Sequence, residues 1–172
     1  MPAVKTGTPR IIPQEQPIDA DLVLLNAAQS AELAVRDLYN EELNLRTFSD
    51  DQKSVLELFR DHHTAYGQAL NGLLGKSATN LRNESLFASY SDQGRSTDES
   101  LSTLQALENI LVATHTSIVG LLVGKDGANL LASILMVEAR HAAVFGSTPT
   151  LDITLALNDV AGSLVTSTTV GG

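Results

Sequence analysis

Four amphipathic stretches, each interrupted near its middle by an ionisable side chain, constrain the fold of this chain more than any other feature. In each stretch apolar residues recur at alternating spacings of three and four, which is the period of one helix face. The four stripes are Leu25, Ala28, Glu32, Val35, Tyr39; Leu56, Phe59, His63, Tyr66, Leu70, Leu73; Leu101, Leu104, Glu108, Leu111, His115, Ile118, Leu122; and Leu131, Ile134, Glu138, His141, Phe145. They predict four helices packed around one core.

Capping signals bound these helices. Two of them open with a capping box, in which a serine and a glutamine or glutamate three residues later bind each other's backbone: Ser49 with Gln52, and Ser96 with Glu99. The predicted helices cover about 19–45, 49–74, 96–123 and 126–145, with Asp19 as the first N-cap and Gly146 as the last C-terminal cap.

Loop lengths select one topology. Only a few residues separate the first helix from the second and the third from the fourth, and short links join antiparallel neighbours. The link over 75–95 is longer: at ~3.3 Å per residue it spans up to ~65 Å, whereas a 25-residue helix is ~38 Å long. The predicted fold is therefore all-α, an antiparallel four-helix bundle with a long crossover that makes the second and third helices parallel.

The bundle, 19–146, is flanked by two extensions. Residues 1–18 hold four of the five prolines and predict an extended arm. Residues 147–172 form a C-terminal extension, apolar at first and then rich in serine, threonine and glycine, which we expect to be partly flexible. Because both extensions can reach neighbouring subunits, we expect a homo-oligomer.

Composition excludes several functional classes. The formal net charge of -9 and the scattered basic residues argue against nucleic-acid binding, and the lack of cysteine excludes disulfides and thiolate metal sites. Residues 1–17 lack the apolar stretch of a signal peptide and no run approaches ~18 apolar residues, so we expect a cytoplasmic protein that does not enter a membrane. No nucleophile elbow, phosphate loop or cofactor fingerprint appears, and the sequence does not decide whether the protein is an enzyme.

The interrupting groups fall at one height in the predicted bundle. Glu32 and Glu138 lie about 11 residues into two helices of the same direction, and His63 and Glu108 about 13 and 10 residues into the opposite pair. Burying a carboxylate costs many kcal/mol unless it is paired, protonated or bound to a metal. This layer of carboxylates and imidazoles therefore predicts a compensating cation, with iron or manganese favoured by the ligand types.

Glu138-Ala-Arg-His141 is the most specific part of this layer, since its i, i+3 spacing points a carboxylate and an imidazole inward together. His115, ~10 Å along the axis from Glu108, is expected outside the first coordination shell. A buried Glu–His hydrogen bond without metal is the alternative. The predicted metal ligands are Glu32, His63, Glu108, Glu138 and His141.

Several segments resemble bacterial ferritin-like domain proteins. The first helix does so through Asp21-Leu-Val-Leu-Leu-Asn-Ala-Ala-Gln-Ser-Ala-Glu32 with Tyr39, the later helices through Leu107-Glu108-Asn109 and Val137-Glu-Ala-Arg-His-Ala-Ala143. The resemblance covers roughly 19–146 and implies a ferritin-like bundle. It also implies that Glu32, Glu108, Glu138 and His141 match metal-ligand positions. In that superfamily such sites hold two irons or manganeses and support iron oxidation, oxygen activation or peroxide chemistry.

The second helix departs from the pattern of that family. Where the family has Glu-x-x-His, this chain has His63-Thr-Ala-Tyr66, or Arg60-Asp-His-His63 in a shifted register. One bridging carboxylate is missing in either register, which leaves two divalent cations with more uncompensated positive charge. A single-metal site, a rearranged pair and a lapsed site all stay open.

Two functional hypotheses follow. The favoured one is a ferritin-like metal-binding protein in metal storage, detoxification or oxidant defence. The alternative is a non-enzymatic helical bundle that self-assembles or binds a partner and has lost its metal site.

Deleting residues 1–18 and 147–172 tests the predicted role of the extensions. We expect the truncated chain to have a smaller mass in solution than the full chain, because the extensions would reach neighbouring subunits. Light scattering measures the mass of each. An unchanged oligomer would remove the main support for assembly through these segments.

Overall fold

A computed structural model describes residues 17–91, 94–147 and 162–165, and this part of the chain contains five α-helices and no strand. Most of the predicted arm and of the C-terminal extension lies outside the described residues. The long helices are α1 Asp19–Leu45, α2 Asp50–Leu74, α4 Thr97–Val119 and α5 Lys125–Gly146, and the short α3 is Glu84–Tyr90. The prediction of an all-α bundle is confirmed.

Both predicted capping boxes are present at the starts of α2 and α4. Three predicted helix ends are wrong. Asp19 is the first helical residue, after an N-cap at Ile18 that makes no side-chain bond, and Gly146 is still helical, with Ser147 as C-cap. The third long helix, α4, ends at Val119, not near 123, because the backbone N–H groups of residues 123 and 124 donate to the Asp21 carboxylate instead of continuing the helix.

The helix directions follow from contacts at the two ends of α1. At its start, Asp21 accepts hydrogen bonds from the backbone of Val123 (3.0 Å) and Gly124 (2.7 Å), just beyond the end of α4. At its far end, Arg46 donates to Ser100 Oγ near the start of α4 (3.2 Å). Helices α1 and α4 are therefore antiparallel. Since short links also make α1–α2 and α4–α5 antiparallel, α2 runs parallel to α4, as the loop lengths predict.

The crossover lies along α1 over most of its length. Near the start of α1, Asn26 donates to the carbonyl of Ser77 (3.0 Å), and near the end Glu42 pairs with Arg95 (2.9 Å). The sequence predicts this span but not α3 within it, because seven residues are too few for a periodic apolar stripe. Leu86 of α3 packs into the core.

Two apolar clusters fill the bundle, one on each side of the polar layer. The first includes Leu38, Leu56 and Leu104, and the second includes Leu25, Leu70, Ile118 and Leu131. The predicted stripes therefore face the core, and the ionisable groups lie between two apolar clusters that exclude water.

The described C-terminal segment, 162–165, docks beside the second cluster. The backbone N–H of Leu164 donates to Thr114 Oγ1 on α4 (3.0 Å), and Val165 packs against the apolar side chains there. This contact places segment 162–165 against Thr114, the residue that precedes His115 in α4.

Among the described helices, α5 is long and apolar enough to cross a membrane by length and composition, with a mean hydropathy of 1.2. Core helices of bundles pass the same test, and α5 carries Glu138 and His141, both buried against other helices. The expectation of no membrane segment stays a prediction.

Replacing Asp21 tests the tie between α1 and the α4–α5 link. Asp21 is 1% exposed, and Asp21→Ala strands two backbone donors, so we expect a loss of about 3 kcal/mol of unfolding free energy in urea denaturation. Asp19→Ala is the matched control: it is exposed in the same first turn and we expect it to cost about 0.5 kcal/mol. Equal losses in the two variants would contradict the tie.

Candidate metal centre

The polar layer is shielded from solvent. Each long helix contributes to it, α1 with one glutamate, α2 with one histidine, and α4 and α5 with a glutamate and a histidine each. Five of the six side chains are 0% exposed and the sixth, that of His141, is 2% exposed: Glu32, His63, Glu108, His115, Glu138 and His141. Water therefore cannot compensate their charges, and the layer must do so itself or through a bound ion.

His63 lies at the centre of the layer, between two carboxylates. Its Nδ1 is 2.7 Å from Glu32 Oε2, and its Nε2 is 3.1 Å from Glu108 Oε1. The same Glu108 oxygen accepts a 2.5 Å hydrogen bond from the Tyr39 hydroxyl and lies 3.3 Å from His141 Nδ1. Glu108 Oε1 thus has hydrogen-bond partners on α1 and α2 and lies close to an imidazole of α5.

His115 also belongs to the layer, through contacts with two carboxylates. Its expected place outside the first coordination shell of a metal stays a prediction. Its Nδ1 is 2.9 Å from Glu138 Oε2 and its Nε2 is 3.6 Å from Glu32 Oε1. Its axial distance from Glu108 does not keep it out of the layer, because carboxylates on two other helices approach His115 instead. The signal was available in the sequence, since His115 stands on the same predicted stripe as Glu108.

His62 connects the layer to the edge of the bundle. It is half-buried, and its Nδ1 lies 2.9 Å from His141 Nε2 with the two rings nearly parallel. The Phe59 ring also stacks on the His141 ring, at a centroid distance of 3.8 Å. Together they hold the His141 ring so that Nδ1 faces Glu108, an orienting role that sequence spacing alone did not reveal.

The groups of the layer shift one another's pKa values in opposite directions. Burial would lower the pKa of His63, but Glu108 and Glu32 outweigh it and raise that pKa well above its ordinary value. Burial would raise the pKa of Glu108, but His63 and His141 hold it at about 2. Burial, reinforced by Glu32 and Glu108, raises the pKa of Glu138 well above its usual range. Without a metal, His63 is therefore an imidazolium between carboxylates and Glu138 keeps its proton.

Several ligand-type atoms in the layer have no hydrogen-bond partner among the described residues. They come from all three glutamates and from two histidines: Glu32 Oε1, Glu108 Oε2, Glu138 Oε1, His115 Nε2 and His141 Nδ1. Buried polar atoms are rarely left unsatisfied, so this cluster fits a cation that accepts their lone pairs.

Two groups of side chains have the proximity that a metal ion needs. One consists of His63, Glu108 and His141, and the other of Glu32, His63 and Glu138. Within each group the ligand atoms all lie within 4.8 Å of one another. The two groups contain the five ligands predicted from the sequence. Their clustering is observed, and their coordination of a metal stays a prediction.

Residues 20–150 match the model of the ferritin-like domain family. The chain belongs to this family. No curated protein and no solved structure matches the chain. For this ferritin-like protein, family membership supports the fold and a buried metal-compatible layer, and the identity of any metal has to be argued from its own residues.

The Tyr39 hydroxyl is expected to stabilise the layer measurably. Tyr39→Phe removes the hydrogen bond to the buried Glu108 carboxylate, so we expect about 2 kcal/mol of unfolding free energy to be lost in the metal-free protein. Tyr66→Phe is the control, because the Tyr66 hydroxyl makes no hydrogen bond within the described residues, and we expect about 0.5 kcal/mol or less. A similar loss in both variants would mean that the contact with Glu108 contributes nothing.

Proposed function

We propose that this ferritin-like protein binds iron or manganese in its buried Glu/His layer and acts in metal storage, detoxification or oxidant defence. The observation that carries the proposal is the convergence of unsatisfied carboxylate and imidazole atoms inside a core closed to solvent. Paired side chains alone would be expected to leave fewer such atoms.

The donor set favours these metals over others. Three carboxylates with two or three imidazoles and no thiolate suit hard to intermediate cations. Calcium and magnesium prefer all-oxygen ligands, and structural zinc sites usually contain cysteine. Iron and manganese accept the mixture that this layer offers.

The chain supplies the setting for such an ion. The ligands would be Glu32, His63, Glu108, Glu138 and His141, and a bound metal would provide redox and Lewis-acid chemistry. The apolar clusters on both sides exclude water from the layer.

Two further side chains keep the ligands in place. Tyr39 donates to Glu108, and His62 orients His141. His62 is half-buried and contacts His141, so a proton could pass between the layer and the surface along it.

A second candidate function has one specific observation in its favour. The His63 imidazolium already lies within hydrogen-bond distance of Glu32 and Glu108, which partly neutralises the layer without a metal. A non-enzymatic, self-assembling or partner-binding bundle that has lost its metal would keep such a contact. The two functions differ in one measurable property, the metal content of the purified protein.

Metal reconstitution separates them. After anaerobic incubation with Fe(II) or Mn(II) and removal of excess ion, we expect about one or more equivalents per chain by elemental analysis. Ligand present at 100 times its Kd should also add about 2.7 kcal/mol to the unfolding free energy. Less than about a tenth of an equivalent would count decisively for the metal-free bundle.

Paired variants show where the metal binds. Glu138→Gln with His141→Gln removes one ligand from each candidate group and is expected to abolish retention of the metal. Glu57→Gln, on an exposed part of α2, is the control and should retain as much metal as the unmodified chain. Retention by the double variant would place the metal elsewhere.

A further inference from the structure

His63 is the residue that the two candidate ligand groups share. It joins Glu32 and Glu138 in one group and Glu108 and His141 in the other. Its Nδ1 faces the Glu32 carboxylate and its Nε2 faces the Glu108 carboxylate. The imidazole thus stands between the two groups with one ring nitrogen directed at each.

The chemistry of imidazole makes this sharing specific. Each ring nitrogen offers one in-plane lone pair, or one N–H, and the two point in widely different directions within the ring plane. A single nitrogen cannot serve two cations in different positions. A cation near Glu32 would therefore use Nδ1, and a cation near Glu108 would use Nε2.

A charge count favours the same arrangement. Two divalent cations carry four positive charges, whereas Glu32, Glu108 and Glu138 supply three negative charges. An imidazole that binds one cation through each of its two nitrogens has no ring proton. It carries a negative charge, which is the fourth. In a layer closed to solvent such neutrality matters, because an uncompensated buried charge is expensive.

The structure places one side chain of the altered α2 motif in the layer and leaves another outside it. Arg60 is partly exposed and pairs with its neighbour Asp61, so it does not enter the layer. His63, at 0% exposure, occupies the centre of the layer. Of these two side chains, His63 is therefore the one placed to act as a ligand.

We propose that His63 is a bridging ligand, binding one divalent cation through Nδ1 with Glu32 and Glu138, and a second through Nε2 with Glu108 and His141. This inference rests on the proposed metal-binding function. No electron is transferred in the step. Starting from the metal-free layer, the His63 imidazolium releases both ring protons and Glu138 releases its carboxyl proton, so three protons go to solvent. Each ring nitrogen then forms one bond to a cation.

Zinc(II) is a suitable probe because it is diamagnetic and does not change oxidation state. We expect the full-length protein, titrated calorimetrically with Zn(II), to bind about two equivalents. In protein labelled with ¹⁵N-histidine, both ring nitrogens of His63 should then show metal-bound shifts and no attached proton. A His63 ring that keeps an N–H at saturation would overturn the bridge.

Single substitutions give an independent test. Glu138→Gln and His141→Gln each remove a ligand from one group, so each should lose about one equivalent of Zn(II). His63→Gln removes a ligand from both groups and should weaken both equivalents by about 10-fold or more. If His63→Gln lost one equivalent and left the other at full affinity, the residue would serve a single cation.

His63→Glu guards against a folding artefact. A carboxylate at this position can also bridge two ions, so this variant should again bind about two equivalents and keep the helical circular dichroism of the parent. One equivalent in the unmodified protein would refute the bridge while leaving the proposed function intact. No uptake of zinc, iron or manganese would refute the proposed function itself.

Discussion

The alignment of the four long helices depends on compensating the negative charges of three carboxylates in a core closed to solvent. Glu32, Glu108 and Glu138 each have 0% exposure, and each approaches an imidazole from a neighbouring helix. Hydrogen bonds between these groups form only over a narrow range of distances, so the four helices must hold the groups at one height to within a fraction of a turn. The apolar clusters on either side supply burial, and the ionisable layer makes one alignment of the helices better than its neighbours.

Other polar contacts reinforce that alignment from the ends. Asp21 ties the start of α1 to the α4–α5 link, and Arg46 ties the opposite end to α4. The crossover adds contacts along α1, from Asn26 to Glu42. Sliding α1 by one turn would break these bonds together with the layer, so the register is specified at several places along the same helix.

Sequence periodicity predicted the features that depend on regular spacing. The stripes containing Glu32, Glu138 and His141 were recognisable because helical geometry repeats over more than twenty residues, and loop length alone decided the topology. Features that depend on a single tertiary contact were missed. The end of α4 is decided by Asp21, which is about a hundred residues away in sequence, and His115 joins the layer through carboxylates on two other helices. The contact of Asp21 leaves no local pattern, and the stripe that contains His115 does not show which carboxylates it meets.

The division of ligands between the two helical hairpins has a consequence for assembly. The closest helix pairs are α1 with α2 and α4 with α5, which are also neighbours in sequence and can form early. Neither candidate group is complete within one pair: His63 and Glu32 belong to the first, and Glu108, Glu138 and His141 to the second. A cation would thus be bound by side chains of both helix pairs, and it could bind only after the two pairs have packed together. The contacts between the two helix pairs would slow release of the cation, and the bound cation would slow separation of the pairs.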